Sequence, residues 1–410
     1  MRVGVISLGC VRNTVDSETI LGGALRRGHE HSVVEEADVV IVNTCGFIEA
    51  AKKESIDVIN GLAVLKRQGK VKRIIVAGCL AQRYADELRR GFPEVDAFVG
   101  ALSLKTNSRQ SSLSLTPSYF SYLKICESCF NHCSFCAIPN IKGRFLSRSL
   151  EAILEDVRRL DGQGVRELNI VGQDITAYGM DLYHEKKLAG LLKEIACSVR
   201  GIEWVRLLYT YPAHITDELL EVIAATPVIC KYIDMPLQHI NDRILERMDR
   251  NMTRSGIEKL IAKIRRRVPG AALRTTFIVG FPGETRKEFK ELVAFIKDHP
   301  FERVGAFMYS REDGTKAYVL GDPVPARTKQ ARLKKLMFEQ GSVAAALQGR
   351  FVGKTLKVLV DGEGTGRSEY DAPEVDGCVH FSGAPETRPG QFVDVKITAA
   401  SGYDLEGIVV

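Results

Sequence analysis

Three apolar, β-branched runs before residue 80 each end in a cysteine: VGVISLGC, DVVIVNTC and RIIVAGC. The segments between them, DSETILGGALRRG and EAAKKESIDVINGLAVLKRQG, have helical spacing of apolar positions. This alternation predicts an open parallel α/β sheet, in a first domain over residues 1–118. Parallel strands end at one sheet edge, so we expect their terminal cysteines to lie together there. They are Cys10, Cys45 and Cys79.

A second alternating pattern follows a Ser-rich stretch, residues 105–120, which we interpret as a linker. The apolar runs are YLKIC, ELNIVGQ, WVRLLYTY, KYIDMPL, LRTTFIVGF and VGAFMYS, and helical segments such as LEAILEDVRRL and TRKEFKELVAFIKD separate them. Six βα units predict a partial (β/α)6 barrel over residues 119–345. Functional groups are expected at the carboxyl ends of its strands.

The last part of the chain changes to short runs with turn signals, which predict a small antiparallel β-barrel over residues 346–410. The runs are KTLKVLVDGE, GRSEYDAPEVDGCVHF and QFVDVKI. This part holds six Lys and Arg against ten Asp and Glu, in a chain whose net charge is +6. The 410 residues are 45% hydrophobic and 26% charged, with no apolar run near the ~20 residues of a membrane span. We therefore predict a cytoplasmic globular protein with no membrane association.

Ten cysteines in a chain of this class favour metal binding over disulfides. The strongest motif is Cys129-x-x-x-Cys133-x-x-Cys136, whose three thiolates can hold three irons of a [4Fe–4S] cluster and leave the fourth open for chemistry. The alternative adds Cys126 and makes two CxxC pairs around zinc. The link between those pairs is short for a zinc module, and Phe135 suits packing on a flat cofactor.

The motif resembles that of the radical S-adenosylmethionine superfamily. The resemblance implies that S-adenosylmethionine binds the open iron and yields a 5′-deoxyadenosyl radical, with Cys129, Cys133 and Cys136 as the catalytic centre. It also implies that the strand ends in VGQD, DMPLQH and GFPGE face the cofactor. The alternative interpretation of these segments is a helix cap and strand-ending turns. The implied contacts are Phe135, Gln173, Asp174, Gln238, His239, Gly280, Gly283 and Glu284.

The first three cysteines, within SLGCVRNTVDSE, VNTCGFIEAAKKES and GCLAQRY, resemble those of the methylthiotransferases in that superfamily. This resemblance implies a second [4Fe–4S] cluster at Cys10, Cys45 and Cys79, which carries the sulfur to be transferred. The alternative is three separate buried thiols. Two departures stand out: Ser128 replaces the family's usual glycine, where a positive φ would strain the backbone, and Cys126 is an additional thiol.

Three further cysteines occur singly on apolar patterns, and we interpret them as core residues. They are Cys197, Cys230 and Cys378.

The substrate prediction depends on LLYTYPAHITDELLEVIA, KYIDMPLQHINDRILERMDR, YSREDGT and APEVDG, which resemble the enzymes that modify an aspartate of small-subunit ribosomal protein S-twelve. Residues 361–376 hold six acidic side chains against Arg367 alone, a surface suited to a basic protein or simply a solvated loop. The alternatives are a tRNA adenosine methylthiotransferase and an iron–sulfur electron-transfer protein. The resemblance also implies two molecules of S-adenosylmethionine and an electron donor such as flavodoxin or ferredoxin.

Overall fold

The computed structural model describes residues 1–383 and 386–410. The first part of the chain forms a five-stranded parallel sheet in the order β2-β1-β3-β4-β5. Its elements are β1 (Arg2–Ser7), α1 (Val11–Leu25), β2 (Glu30–His31), β3 (Val39–Thr44), α2 (Glu49–Arg67), β4 (Arg73–Gly78), α3 (Cys79–Arg83), α4 (Ala85–Gly91) and β5 (Ala97–Val99).

The burial of the central strand β3 fits a parallel sheet that is covered on both faces. All six of its residues, VVIVNT, are buried, as expected for a strand that has helices above and below it. Its register places Val42 beside Ile6 of β1 and Val76 of β4, so these three strands end at the same edge. The predicted strands and their common carboxyl edge are confirmed.

The central part is an open six-stranded parallel sheet in the order β13-β12-β11-β10-β9-β6. The six predicted βα strands are confirmed, and the small pair β7 and β8 lies beside them. The elements are β6 (Phe120–Lys124), β7 (Cys126–Glu127), α5 (Ile138–Lys142), β8 (Leu146–Ser147), α6 (Leu150–Gly162), β9 (Glu167–Val171), α7 (Leu188–Ser198), β10 (Trp204–Leu207), α8 (Asp217–Ala225), β11 (Ile229–Asp234), α9 (Asp242–Arg247), α10 (Arg254–Arg267), β12 (Ala272–Val279), α11 (Arg286–Asp298) and β13 (Arg303–Met308).

A long helix, α12 (Ala326–Gln348), leads to a closed five-stranded barrel in the order β14-β15-β16-β18-β17. Its strands are β14 (Thr355–Gly362), β15 (Thr365–Ser368), β16 (Val379–Ser382), β17 (Phe392–Ser401) and β18 (Asp404–Val409). The pairing is antiparallel except between β16 and β18, which are parallel. The sequence prediction missed β18. It also treated β15 and β16 as one run, although a loop separates these two short strands.

The first and central parts meet across a buried group of charges. Lys124 donates hydrogen bonds to Asp16 and, at 2.7 Å, to Glu127, while Lys142 lies 2.9 Å from Asp16. All four side chains are at most 6% exposed, so each cation is compensated within the protein. These ion pairs hold the two sheets in one fixed arrangement around the cavity between them.

Several acids of the segment 361–376 pair within the chain. Asp371 pairs with Arg303 of β13, and Asp376 accepts a 2.5 Å hydrogen bond from the Tyr232 hydroxyl on β11. Tyr122 of β6 donates to Glu374 at 2.7 Å. These three acids attach the barrel to the central sheet, and the docking interpretation of the segment stays a prediction.

The prediction of no membrane association rests on composition. Among the residues that the structure describes, no helix combines the length and apolar character needed to cross a lipid bilayer.

Candidate active site

An open cavity of about 670 Å³ lies where the carboxyl ends of the two parallel sheets face each other. Four thiols line it. They are Cys10 from the first sheet and Cys129, Cys133 and Cys136 from the central part. The remaining lining comes mostly from residues that follow β1, β9, β10 and β11, together with residues of β12 and β13. The site thus forms at the edge where both sheets were expected to bind ligands.

The central triad, defined as Cys129, Cys133 and Cys136, lies on the loop that follows β7. The loop turns through a hydrogen bond from the Cys136 amide to the Cys133 carbonyl (3.1 Å). Asn131 donates its backbone N–H and its side-chain amide to Cys129 Sγ at 3.4 and 3.5 Å. Arg250 donates to Cys133 Sγ at 3.4 Å. Sulfur atoms that face a cavity and accept N–H groups fit an iron–sulfur cluster.

Burial has the largest effect on the pKa values of the cysteines in the central triad. It raises the pKa of Cys129 to about 11 and that of Cys136 to about 12. A buried thiolate is stabilised only by a metal or by nearby donors. The N–H groups of Asn131 and Arg250 are such donors, and iron would supply the rest of the stabilisation.

Cys126 is separate from the central triad. It is fully buried on β7, and its thiol points to the carbonyl oxygen of Asp174 at 3.5 Å. It does not line the cavity. Burial raises its pKa well above the ordinary value. The geometry therefore supports the three-cysteine cluster over a four-cysteine zinc site.

Ser128 has a φ of +66°, the left-handed conformation expected at the family's glycine position. Its hydroxyl donates a 2.5 Å hydrogen bond to the Gly143 carbonyl. This bond offsets part of the cost of a side chain in that conformation.

The N-terminal triad, defined as Cys10, Cys45 and Cys79, lies at the ends of the neighbouring strands β1, β3 and β4. Cys10 faces the cavity, whereas Cys45 and Cys79 are only 8% and 7% exposed. A Cβ atom added at Gly9 would stand 2.8 Å from Cys45 Sγ, so the absence of a side chain there leaves room for this thiol. Burial raises the pKa of Cys79 to about 12, and the charges of Cys45 and Cys10 add to the rise.

Cys10 differs electrostatically from the other two members of this triad. Burial alone would raise the pKa of Cys10, but the adjacent Arg12 guanidinium outweighs it, and the pKa is lowered. Arg12 Nε donates to Cys10 Sγ at 3.4 Å. The thiol that faces the cavity is therefore the one stabilised as a thiolate.

Three of the residues expected to contact a cofactor line the cavity: Phe135, Gln173 and Gln238. The Oε1 atoms of both glutamines are buried and have no hydrogen-bond partner in the described parts of the chain. Gln238 also has a φ of +71°, an unusual conformation that is found most often at functional sites. Buried acceptors of this kind fit the amine and hydroxyl groups of S-adenosylmethionine.

Asp174 and His239 do not line the cavity, and the expectation that they contact the cofactor stays a prediction. Asp174 is 1% exposed, caps the short turn at Thr176 and accepts from Asn131 at 2.7 Å. His239 is fully buried and accepts a 3.0 Å hydrogen bond from the Asn241 amide. Desolvation lowers the pKa of His239 to about 4, which keeps the ring neutral.

The GFPGE segment is a strand-ending turn and does not reach the cavity. Glu284 accepts a hydrogen bond from the Gly280 amide and pairs with Arg332 at 3.2 Å. Gly280 and Gly283 both have positive φ values, and Lys329 packs against Gly280. The contacts at Gly280, Gly283 and Glu284 stay predictions. These residues do not line the cavity, and the buried Oε1 atom of Glu284 has no hydrogen-bond partner among the described residues.

Sequence reasoning missed three arginines that line the cavity: Arg12, Arg250 and Arg274. Arg12 lies within the SLGCVRNTVDSE segment, so its proximity to Cys10 could have been noticed. Arg250 and Arg274 are brought in by α9, α10 and β12 from far along the chain, and no local pattern distinguishes them from surface arginines.

The terminal barrel also contributes to the cavity, which the sequence did not indicate. Glu374 and Val375, on the loop between β15 and β16, line one wall. Hydrogen bonds from Tyr122 to Glu374 and from Tyr232 to Asp376 hold this loop in place.

Two cysteines expected in the core lie elsewhere. Cys197 is exposed on α7, and Cys378 is half-buried beside His380 and Asp404. Cys230 is buried, as predicted.

Family models match all three parts of the chain. They are described as Radical SAM superfamily (residues 123–296), Uncharacterized protein family UPF0004 (residues 2–100) and TRAM domain (residues 352–410). Relatives named "Ribosomal protein uS12 methylthiotransferase RimO" match over nearly their whole length. The protein from Desulfitobacterium hafniense is 43% identical, covering 100% of this chain and 98% of the relative.

The chain belongs to the RimO family. Other members that match are those of Heliobacterium modesticaldum, 44% identical over 99% of this chain and 95% of the relative, and Aquifex aeolicus, 43% identical over 99% and 97%. Membership of the RimO family makes this protein a radical S-adenosylmethionine enzyme of the transferase class.

Solved structures show the same fold at low identity. The "radical S-adenosylmethionine methyltransferase, TsrM, from Kitasatospora setae" matches with a TM-score of 0.57 and 15% identity, over 77% of this chain and 76% of that one. The apo structure of the "Cobalamin-dependent S-adenosylmethionine radical enzyme OxsB" matches with a TM-score of 0.52 and 12% identity, over 82% and 56%. The likeness supports the arrangement of an α/β domain beside a radical S-adenosylmethionine domain.

Proposed function

We propose that this protein adds a methylthio group to the β-carbon of an aspartate in ribosomal protein uS12. The observation that carries the proposal is the shared cavity, because Cys10 of the N-terminal triad and all three cysteines of the central triad open onto it in a member of the RimO family. Two sulfur-rich sites that face one space allow both to act on one bound carbon atom.

The central triad would hold a [4Fe–4S] cluster through three of its four irons. When bound there, such a cluster with S-adenosylmethionine supplies a carbon radical that removes a hydrogen atom from the substrate. Asn131 and Arg250 would stabilise the negative charge on the sulfur ligands through their N–H groups. These residues position the ligands, while the cofactor carries the chemistry.

S-adenosylmethionine would bind between the central triad and the adjoining strand ends. Gln173 is oriented by a 2.8 Å hydrogen bond to Glu127, which leaves its Oε1 atom to accept from the ligand. Gln238 offers a second buried acceptor, and Phe135 an aromatic surface. The cavity walls would limit the access of water to the reacting groups.

The N-terminal triad would hold a second [4Fe–4S] cluster that carries the sulfur. The three thiols lie at adjacent strand ends, two of them are buried, and Cys10 lines the same cavity as the central triad. The substrate carbon loses a hydrogen atom and gains a methylated sulfur, at the expense of two molecules of S-adenosylmethionine. A one-electron donor such as flavodoxin or ferredoxin would supply the electron that starts the reaction. We place this reaction in the cytoplasm, where uS12 is assembled into ribosomes.

The alternative is modification of a tRNA adenosine, and the named relatives do not favour it. The test is to delete the gene in the source organism and measure both uS12 and the tRNA nucleosides by mass spectrometry. We expect loss of the methylthio mass from uS12 alone, with restoration by the wild-type gene but not by a Cys129→Ala variant. Loss from tRNA with uS12 unchanged would overturn the proposal.

A further inference from the structure

Arg12 occupies a distinctive place in the cavity. Its Nε atom donates to Cys10 Sγ at 3.4 Å, and its charge also opposes the rise that burial causes in the pKa of Cys136. The guanidinium therefore lies beside the N-terminal triad, in the cavity that the central triad also lines. A substrate carbon that must be reached from both triads has to pass close to it.

Two contacts fix the orientation of the Arg12 side chain. Arg12 Nη1 donates to the Gly172 carbonyl at 3.1 Å, and the guanidinium lies 4.6 Å from the ring centre of Tyr209. Tyr209 itself has a φ of +66°. A guanidinium carries donors on three nitrogens, and Nη2 of Arg12 has no hydrogen-bond partner within residues 1–383 and 386–410. The Nη2 atom of this half-buried cation thus remains for a ligand.

The other arginines of the cavity are already occupied. Arg274 pairs with Asp234 at 3.2 Å and with Asp376 at 3.4 Å. Arg250 donates to Cys133 Sγ and to the Pro236 carbonyl, on the side of the central triad. Arg12 forms no salt bridge to a carboxylate of the described residues. The Cys10 sulfur balances part of its charge, and its Nη2 atom keeps donors for a second anion. The cavity therefore offers an anion-binding position beside the N-terminal triad.

We propose that Arg12 binds the side-chain carboxylate of the substrate aspartate and so determines the specificity of the enzyme. The inference rests on the proposed function, in which the reacting carbon is bonded directly to that carboxylate. The N–H groups of Nη2 remain to donate to the carboxylate, and charge-assisted hydrogen bonds of this kind fix the position of the adjacent carbon. Asparagine, which has the same shape but no charge, would bind less well.

The experiment measures binding of two labelled peptides by fluorescence anisotropy under anaerobic conditions. Both peptides span the modified position of uS12, one with the aspartate and one with asparagine in its place. We expect the wild-type holoenzyme to prefer the aspartate peptide by about tenfold or more, the range of a charge-assisted hydrogen bond. The Arg12→Gln variant should bind the two peptides with affinities that differ by no more than about twofold. Arg158→Gln, which removes an exposed arginine of α6, should keep the wild-type ratio.

If Arg12 had a merely structural role, Arg12→Gln would weaken the binding of both peptides equally and leave the ratio of their affinities unchanged. That result would overturn the proposal. Iron content is measured for each variant. Should Arg12→Gln lose iron, the Arg12→Lys variant decides. We expect its ratio of peptide affinities to lie between one and the wild-type ratio, because the charge remains but the planar guanidinium is lost. A ratio equal to that of the wild type refutes the proposal. Failure of the proposed function has a different signature, since the wild type would then bind neither peptide and leave uS12 unmodified.

Discussion

Replacing Gly9 by alanine tests whether the N-terminal triad requires the close packing seen at the ends of β1 and β3. The new Cβ atom would lie 2.5 Å from Cys45 Cβ and 2.8 Å from Cys45 Sγ, distances that real Cβ atoms do not adopt. Gly9 also has a φ of +88°, so alanine would be strained there even in open space. Both effects push Cys45 or the Cys10 turn away from the present arrangement.

The magnitude follows from the two contributions. A left-handed conformation costs an alanine about 1–2 kcal/mol. Overpacking of a buried site costs about 1–3 kcal/mol more. We therefore expect Gly9→Ala to lower the free energy of unfolding by about 2–5 kcal/mol and to displace a sulfur ligand. Iron should fall from about eight atoms per chain, for two [4Fe–4S] clusters, to about four.

Gly28→Ala is the matched control. Gly28 also has a positive φ, +81°, but nothing lies within 4 Å of its added Cβ atom. In this variant the free energy of unfolding should fall by only about 1–2 kcal/mol, and all the iron should remain bound. Urea denaturation and iron analysis after anaerobic reconstitution measure both quantities. If Gly9→Ala were no less stable than Gly28→Ala and bound as much iron, the packing argument would be refuted.

Three further predictions concern residues near the central triad. Ser128→Ala keeps the strained backbone and leaves the Gly143 carbonyl without its 2.5 Å hydrogen bond, so chemical denaturation should show a loss of about 1 kcal/mol; Ser128→Gly should lose less. Cys126→Ala should keep the iron and absorption spectrum of the central cluster at a cost of about 1 kcal/mol in stability, whereas loss of that cluster would make Cys126 a ligand. The pKa of His239 is lowered to about 4, below the ~6.5 of the unfolded chain, so only the unfolded state takes up a proton between these values. Stability should therefore fall as the pH drops from about 6.5 to 4, by up to about 3 kcal/mol, and His239→Gln should show a shallower fall; an unchanged slope would contradict the assignment.

Much of the fold could be predicted because strand and helix periodicity is local. The runs that end in Cys10, Cys45 and Cys79 were buried parallel strands, and parallel strands with covering helices end at one edge. That rule placed both triads at sheet edges without any long-range contact being known.

The predicted cofactor contacts that do not line the cavity have partners far along the chain. Glu284 and Asp174 follow strands, as cofactor ligands often do, but Glu284 pairs with Arg332 through one carboxylate oxygen and Asp174 accepts from Asn131. The acids of residues 361–376 have the composition of a docking surface, yet several of them pair with the central sheet. Composition reports which charges are present, whereas their pairing is decided by tertiary contacts.

The central claim is that the two triads have separate roles around one cavity. The most direct test is to incubate Cys10→Ala and Cys129→Ala variants with uS12, reductant and S-adenosylmethionine, and to quantify 5′-deoxyadenosine and methylthiolated uS12. We predict that Cys10→Ala still forms 5′-deoxyadenosine but transfers no sulfur, and that Cys129→Ala forms neither product. Sulfur transfer by Cys10→Ala at the wild-type rate would contradict the account.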